Sequence, residues 1–182
     1  MNLQDYIAIY NIDNPQLCKD IIKECNEAEW RKHTYSHPIT NENTTYDDDL
    51  DVCEMNTKNV EYLNNKITQF TNDYLTNIPF SPFILQALSE IRFNKYEIGT
   101  NMKFHNDHIH TLFDGERKGI PIISILGLLN DDFEGGDFLM FDGKKLQLEA
   151  GDIIIFPSNF LYPHAVTTIT KGTRYSFVSW GW

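Results

Sequence analysis

No apolar run in this 182-residue chain approaches the roughly 20 residues that a membrane-crossing helix requires. A membrane is therefore not an expected partner. Positive charge is also scarce: 15 Lys and Arg stand against 26 Asp and Glu, for a formal charge of −11, and no stretch is dominated by basic residues. Such a surface repels phosphate backbones, which argues against nucleic acid and favours a neutral or basic substrate. Cysteine is rare, with Cys18, Cys25 and Cys53 at spacings that match no metal or disulfide framework. Cys18 and Cys25 fall within one expected helix, where their separation rises about 10 Å and exceeds disulfide reach. Reduced structural thiols are the expectation, in keeping with a reducing compartment. The opening MNLQDYIAIYNID lacks both the basic start and the clean apolar centre of a secretory leader, so the expected location is cytoplasmic.

What is present describes one globular domain over 1–182, because 41% hydrophobic residues in a chain of this length suffice for a single core. Residues 14–30 open with Asn14 as a helix cap and Pro15 in the first turn, then place Leu17, Ile21, Cys25 and Ala28 on one face. A second helix is expected over 57–77, where Val60, Leu63, Ile67, Phe70 and Tyr74 step by three and four. Between them, HPITNENTTYDDDLDV reads as an acidic surface loop leading into a short strand.

After Pro82 the sequence changes to short runs of Ile, Phe, Val and Tyr separated by Gly, Asp and Asn. Strands are expected near 87–97, 101–107, 120–129, 136–141, 145–148, 152–156, 163–169 and 173–181, a number that suits a jelly roll. Turns fall at 130–132, 134–136, 142–143 and 171–172, and 114–119 reads as a mobile loop. The expected fold is mainly β with N-terminal helices: about 1–85 forms helical support and first strands, and about 86–182 a jelly-roll core.

The stretch FHNDHIH, residues 104–110, gathers three of the six histidines and an aspartate. In a strand over 101–107, His105 and Asp107 point to one face, Asn106 and His108 to the other, and His110 lies past the end. Two imidazoles and one carboxylate are the facial set that holds Fe(II) while leaving positions open. The third ligand must come from elsewhere, and His164, in YPHAV 59 residues later, is the candidate; His33 and His37, outside the β region, are weaker ones. An HxD tripeptide alone is a weak signal, since a strand histidine is more often a hydrogen-bonded core or surface residue. Ten residues after His164 comes Arg174, which strand alternation places with Ser176, Val178 and Trp180. If Trp180 faces the core, so does Arg174, and a buried arginine calls for an anion that its fork can grip bidentately. A salt bridge to an acidic neighbour, or an outward face, is the plainer alternative.

These residues resemble the Fe(II)- and 2-oxoglutarate-dependent oxygenases, and more narrowly the prolyl 4-hydroxylase-like group, from about Ile91 to Trp182. The likeness rests on His105-x-Asp107, the distal His164 and Arg174, supported by Tyr96-x-x-Gly99, LLNDDFEGGDFLMF and GDIIIFPS followed by PHAV. The resemblance implies a double-stranded β-helix, a cupin-like jelly-roll barrel, in which His105, Asp107 and His164 hold iron. It further implies that Arg174 binds the distal carboxylate of 2-oxoglutarate with Tyr96 as a hydrogen-bonding helper. Val166, Phe138 and Ser124 would line that pocket, and Trp180 and Tyr162 would meet the substrate. The implied reaction is a dioxygenase hydroxylation of an unactivated C–H bond, using O2 and releasing succinate and CO2, with ascorbate as a reductant. The implied partner is a peptide or protein, most naturally a proline-containing one. Two alternatives stand beside it: a hydroxylase of small molecules or free amino acids, and a non-catalytic jelly-roll module whose histidines are incidental or hold a structural metal. Met102 and Leu128 replace tyrosines that such enzymes often carry, and Asp107 argues against a halogenating relative, which would need that position vacant.

Overall fold

The computed structural model describes residues 2–36, 42–46, 49–78, 85–107 and 120–182. A 3-10 turn, Leu3–Tyr6, leads into β1 (Ala8–Asn11), then α1 (Pro15–Glu27), β2 (Arg31–Lys32), β3 (Tyr35–Ser36), β4 (Asn43–Thr44) and β5 (Asp51–Glu54). Helix α2 (Lys58–Asn77) precedes β6 (Arg92–Tyr96), β7 (Met102–His105), β8 (Ile123–Leu128), β9 (Glu134–Gly135) and β10 (Phe138–Met140). The chain closes with β11 (Lys144–Leu146), β12 (Asp152–Pro157), β13 (His164–Val166), β14 (Ile169–Lys171) and β15 (Arg174–Gly181). No helix among the described residues is long and apolar enough to cross a membrane.

Both helices start where side-chain caps allow. The Asn14 amide oxygen accepts from the Leu17 N–H with Pro15 in the first turn, and the Thr57 hydroxyl accepts from the Val60 N–H. Their buried faces, Leu17, Cys18, Ile21 and Cys25 on α1 and Val60, Leu63, Ile67, Thr71 and Tyr74 on α2, follow the period of three and four. All three thiols are free and buried.

Two antiparallel sheets carry the expected jelly roll. The larger runs β1-β12-β8-β15-β6-β5-β2 and the smaller β11-β10-β13-β7. Strand alternation splits the core in two. Phe93, Ile125, Ile153, Ile155 and Phe177 pack with the helices, whereas Tyr96, Met102, Phe138, Ile154, Phe156 and Val166 pack in the second cluster, which spans both sheets. The uninterrupted run Ile153-Ile154-Ile155-Phe156 is apolar throughout because both of its faces are covered.

Gly127, the last but one residue of β8, lies opposite the fully buried Phe177 of β15. A β-carbon there would come within 2.0 Å of the Phe177 ring. Gly127→Ala is therefore expected to destabilise the fold by about 3 kcal/mol, the upper end for overpacking a filled core. Denaturant unfolding reads this directly; a midpoint equal to that of the unchanged protein would show that the ring yields freely.

The structure adds what local patterning did not foresee. Strand β1 pairs with β12, and the short strand expected after the acidic loop, β5, joins β2 in extending the large sheet beyond β6. The expected strand over 101–107 stops at His105, so Asp107 stands in a bend just past it. The expected loop at 114–119, with His37, His108 and His110, lies outside the described residues.

Candidate metal centre

His105 is the last residue of β7 and His164 the first of β13, and the sheet register sets them directly opposite each other. Their ring centroids lie 4.3 Å apart. Each imidazole turns Nδ1 toward the carbonyl two residues back, His105 to Lys103 at 2.8 Å and His164 to Tyr162 at 3.2 Å. A carbonyl only accepts, so each Nδ1 carries the hydrogen and each Nε2 is left as a lone-pair donor. Those nitrogens face Asp107: His105 Nε2 is 3.6 Å from Oδ1 and His164 Nε2 is 3.8 Å from Oδ2. The ligand atoms of the three residues lie within 4.8 Å of one another.

Asp107 is 5% exposed and anchored from the large sheet. The Ser124 hydroxyl donates to Oδ2 at 2.6 Å and lies 2.8 Å from the Ser158 hydroxyl. Burial alone would push the Asp107 carboxyl up, but the imidazoles of His164 and His105 and the Ser124 bond outweigh it and hold the group below the usual carboxylate range. The Trp180 indole N–H acts in the same direction, although it is buried without a hydrogen bond of full geometry. Burial brings His164 down to about 4, against an opposing pull from Asp107. A buried neutral imidazole and an ionised carboxylate are the states in which these residues bind a cation. The chemistry of the donor set thus fits Fe(II).

The neighbouring pocket holds Arg174, 4% exposed, directly across the β15–β6 ladder from Tyr96. Its guanidinium lies over the Tyr96 ring at 5.0 Å, and Nη1 donates to the Ser176 hydroxyl at 2.8 Å. Nε has no partner, and no carboxylate pairs with Arg174 among the described residues. The acidic-neighbour alternative is thus absent there, and an orphaned N–H on a buried guanidinium fits an anionic ligand. Phe138 and Val166 are buried opposite one another on β10 and β13, with the Phe138 ring 5.6 Å from that of His164.

Three of the expected residues have partners within the protein. Ser124 holds the Asp107 carboxylate instead of simply lining a cosubstrate pocket. Tyr96 presents its ring face to the Arg174 guanidinium. The Tyr162 hydroxyl donates to the Leu3 carbonyl at 3.1 Å, and its ring lies against Phe141 and Phe156. His33, a weaker candidate in sequence, lies within electrostatic reach of Arg92; burial, then chiefly the Arg92 charge, brings it down to about 4. Arg92 itself was readable, since alternation from inward Tyr96 passes through Asn94 to Arg92.

Comparison with known proteins supports the same region. Residues 91–182 match the 2OG-Fe(II) oxygenase superfamily. A PKHD-type hydroxylase from Idiomarina loihiensis is 32% identical over 98 residues, covering 52% of this chain and 43% of that protein. One from Acinetobacter baumannii is 34% identical over 94 residues, covering 48% and 40%. The matched region thus spans less than half the length of these relatives. Among solved structures, a Pseudomonas putida prolyl-4-hydroxylase superposes with a TM-score of 0.70 at 18% identity, covering 97% of this chain and 91% of that one. A prolyl hydroxylase from Trichoplax adhaerens, in complex with a hypoxia inducible factor peptide fragment, gives 0.72 at 13% identity, covering 97% and 83%. These likenesses establish the double-stranded β-helix fold, and the match over half of its length establishes that this chain belongs to the 2OG-Fe(II) oxygenase superfamily.

Proposed function

We propose that the protein is a 2-oxoglutarate-dependent hydroxylase acting on a prolyl residue of a peptide, with His105, Asp107 and His164 as iron ligands and Arg174 as the anchor of the cosubstrate. The observation that carries this reading is the pairing of two Nε2 lone pairs and one carboxylate with a buried arginine that has no carboxylate partner among the described residues. Bound there, Fe(II) with 2-oxoglutarate and O2 supplies the oxidising power for an unactivated C–H bond, with succinate and CO2 as co-products and ascorbate as a reductant.

The chain's own residues do the positioning. Ser124 and Ser158 hold the carboxylate, the Lys103 and Tyr162 carbonyls fix the imidazoles, and Phe138, Val166 and Phe156 exclude water around His164. A non-catalytic module has no use for a guanidinium left without an anion. The prolyl choice draws on solved neighbours that are prolyl hydroxylases, one of them with a peptide bound. We read residues 1–182 as one domain with 86–182 as the catalytic core, working in the cytoplasm.

A panel of proline-containing peptides incubated with the protein, Fe(II), 2-oxoglutarate and air tests the proposal by mass spectrometry. The expected result is a gain of one oxygen atom on a prolyl residue, matched by succinate. Turnover on free amino acids with none on peptides would replace the peptide by a small molecule.

A further inference from the structure

The inner face of the large sheet carries a second arginine that the cosubstrate does not account for. In the β15–β6 ladder Arg174 faces Tyr96 and Val178 faces Arg92. The two arginines therefore stand four ladder positions apart, about 13 Å at the strand rise. They are built alike: Arg174 lies over Tyr96 at 5.0 Å, and Arg92 lies over Trp180 at 5.0 Å. Arg92 is joined to the metal ligands through its platform, because Trp180 sits opposite Ser124 in the sheet and Ser124 donates to Asp107.

Arg92 is half-buried and has no carboxylate partner among the described residues. The acid that register would give it, Glu54 directly across β5, is engaged by Arg31 in two bonds of 2.7 and 2.8 Å. Arg92 Nε donates to the Asn94 side chain at 3.2 Å, which fixes the guanidinium, while its Nη groups have no hydrogen-bond partner among the described residues. A guanidinium stacked on an indole and steadied at Nε is preorganised to present its remaining N–H groups to a planar anion. Arg92 itself lies within electrostatic reach of the Asp107 carboxylate.

We propose that Arg92, seated on Trp180, binds a carboxylate of the primary substrate, so that the reacting residue is a free amino acid or the C-terminal residue of a peptide. This rests on reading the site as that of a hydroxylase, and it narrows the prolyl substrate to one that carries its own carboxylate.

The test is calorimetric binding to protein loaded with Mn(II) and 2-oxoglutarate, with four probes: L-proline, L-prolinamide, Gly-Pro and Gly-Pro amide. The acids should bind more tightly than their amides. Arg92→Gln should weaken acid binding roughly tenfold to a hundredfold, the range for a charged hydrogen-bonded contact, and leave amide binding as it was. Arg92→Lys, which keeps the charge without the fork, should retain part of the acid preference and guards against a folding artefact. The affinity for 2-oxoglutarate should be the same in all three proteins. Proline over Gly-Pro identifies a free amino acid, and the reverse order a peptide terminus. Equal binding of acid and amide, no binding of any probe, or an acid preference that survives Arg92→Gln overturns the inference. Failure of the unaltered protein to bind 2-oxoglutarate with Mn(II) would instead defeat the hydroxylase reading.

Discussion

Asp107→Ala is expected to weaken Fe(II) binding by well over a hundredfold while the protein still folds. Loss of an outer partner to a ligand costs roughly 10–100-fold in affinity, and here a ligand itself is lost. The remaining donors are two neutral imidazoles, and the serines that held the carboxylate are left with only each other. Asp107→Asn separates charge from shape. The amide fills the same volume and keeps an acceptor for the Ser124 hydroxyl, yet it carries no charge to offset that of a divalent ion. Its affinity should fall nearly as far as that of the alanine variant. Anaerobic titration with Fe(II) and 2-oxoglutarate, followed by visible absorption, measures both. Unchanged affinity in the asparagine variant would remove Asp107 from the ligand set.

Arg174→Leu should have effects of opposite sign with and without cosubstrate. Removing one side of a buried charge pair costs about 2–5 kcal/mol, so affinity for 2-oxoglutarate should fall roughly 30- to 4000-fold. Without cosubstrate the same change removes a buried guanidinium that has no carboxylate to compensate it among the described residues. Replacing a buried charge by an apolar residue is often neutral or stabilising. The variant should therefore melt at or above the temperature of the unchanged protein and gain nothing from added 2-oxoglutarate. Iron affinity should stay close to the original value, because Arg174 touches none of the three ligands. A large drop in the ligand-free melting temperature would make Arg174 a structural residue held by Tyr96 and Ser176.

The parts of this site that the sequence revealed are those governed by alternation. Arg174, Ser176, Val178 and Trp180 are all buried on one face, as a two-residue period requires. His105, Asp107 and His164 do come together, but not by alternation alone: β7 ends at His105, and it is the bend after it, not the strand, that brings Asp107 back to the imidazoles. The helices were legible because their caps and apolar faces are local signals. Strand β1 was not, since its four residues become a strand only by pairing with β12, more than 140 residues away. The roles of Ser124 and Tyr162 escaped for a related reason. A hydroxyl is defined by the partner it reaches, here Asp107 for one and the Leu3 carbonyl for the other, and neither partner is close in the chain.

The place of His105 at the end of β7 has a mechanical consequence. Among the described strands β7 is the outermost of the smaller sheet, bonded on one side only, to β13. An ion held by His105, Asp107 and His164 would therefore be a clasp on a sheet margin, closing a loop of 59 residues between the two histidines. Loop closure of that kind withdraws conformational freedom from the opened chain, much as a covalent crosslink does. Iron would then govern how often the margin of the barrel opens as well as whether the site reacts, and slow amide exchange along Met102–His105 would report occupancy with no turnover at all.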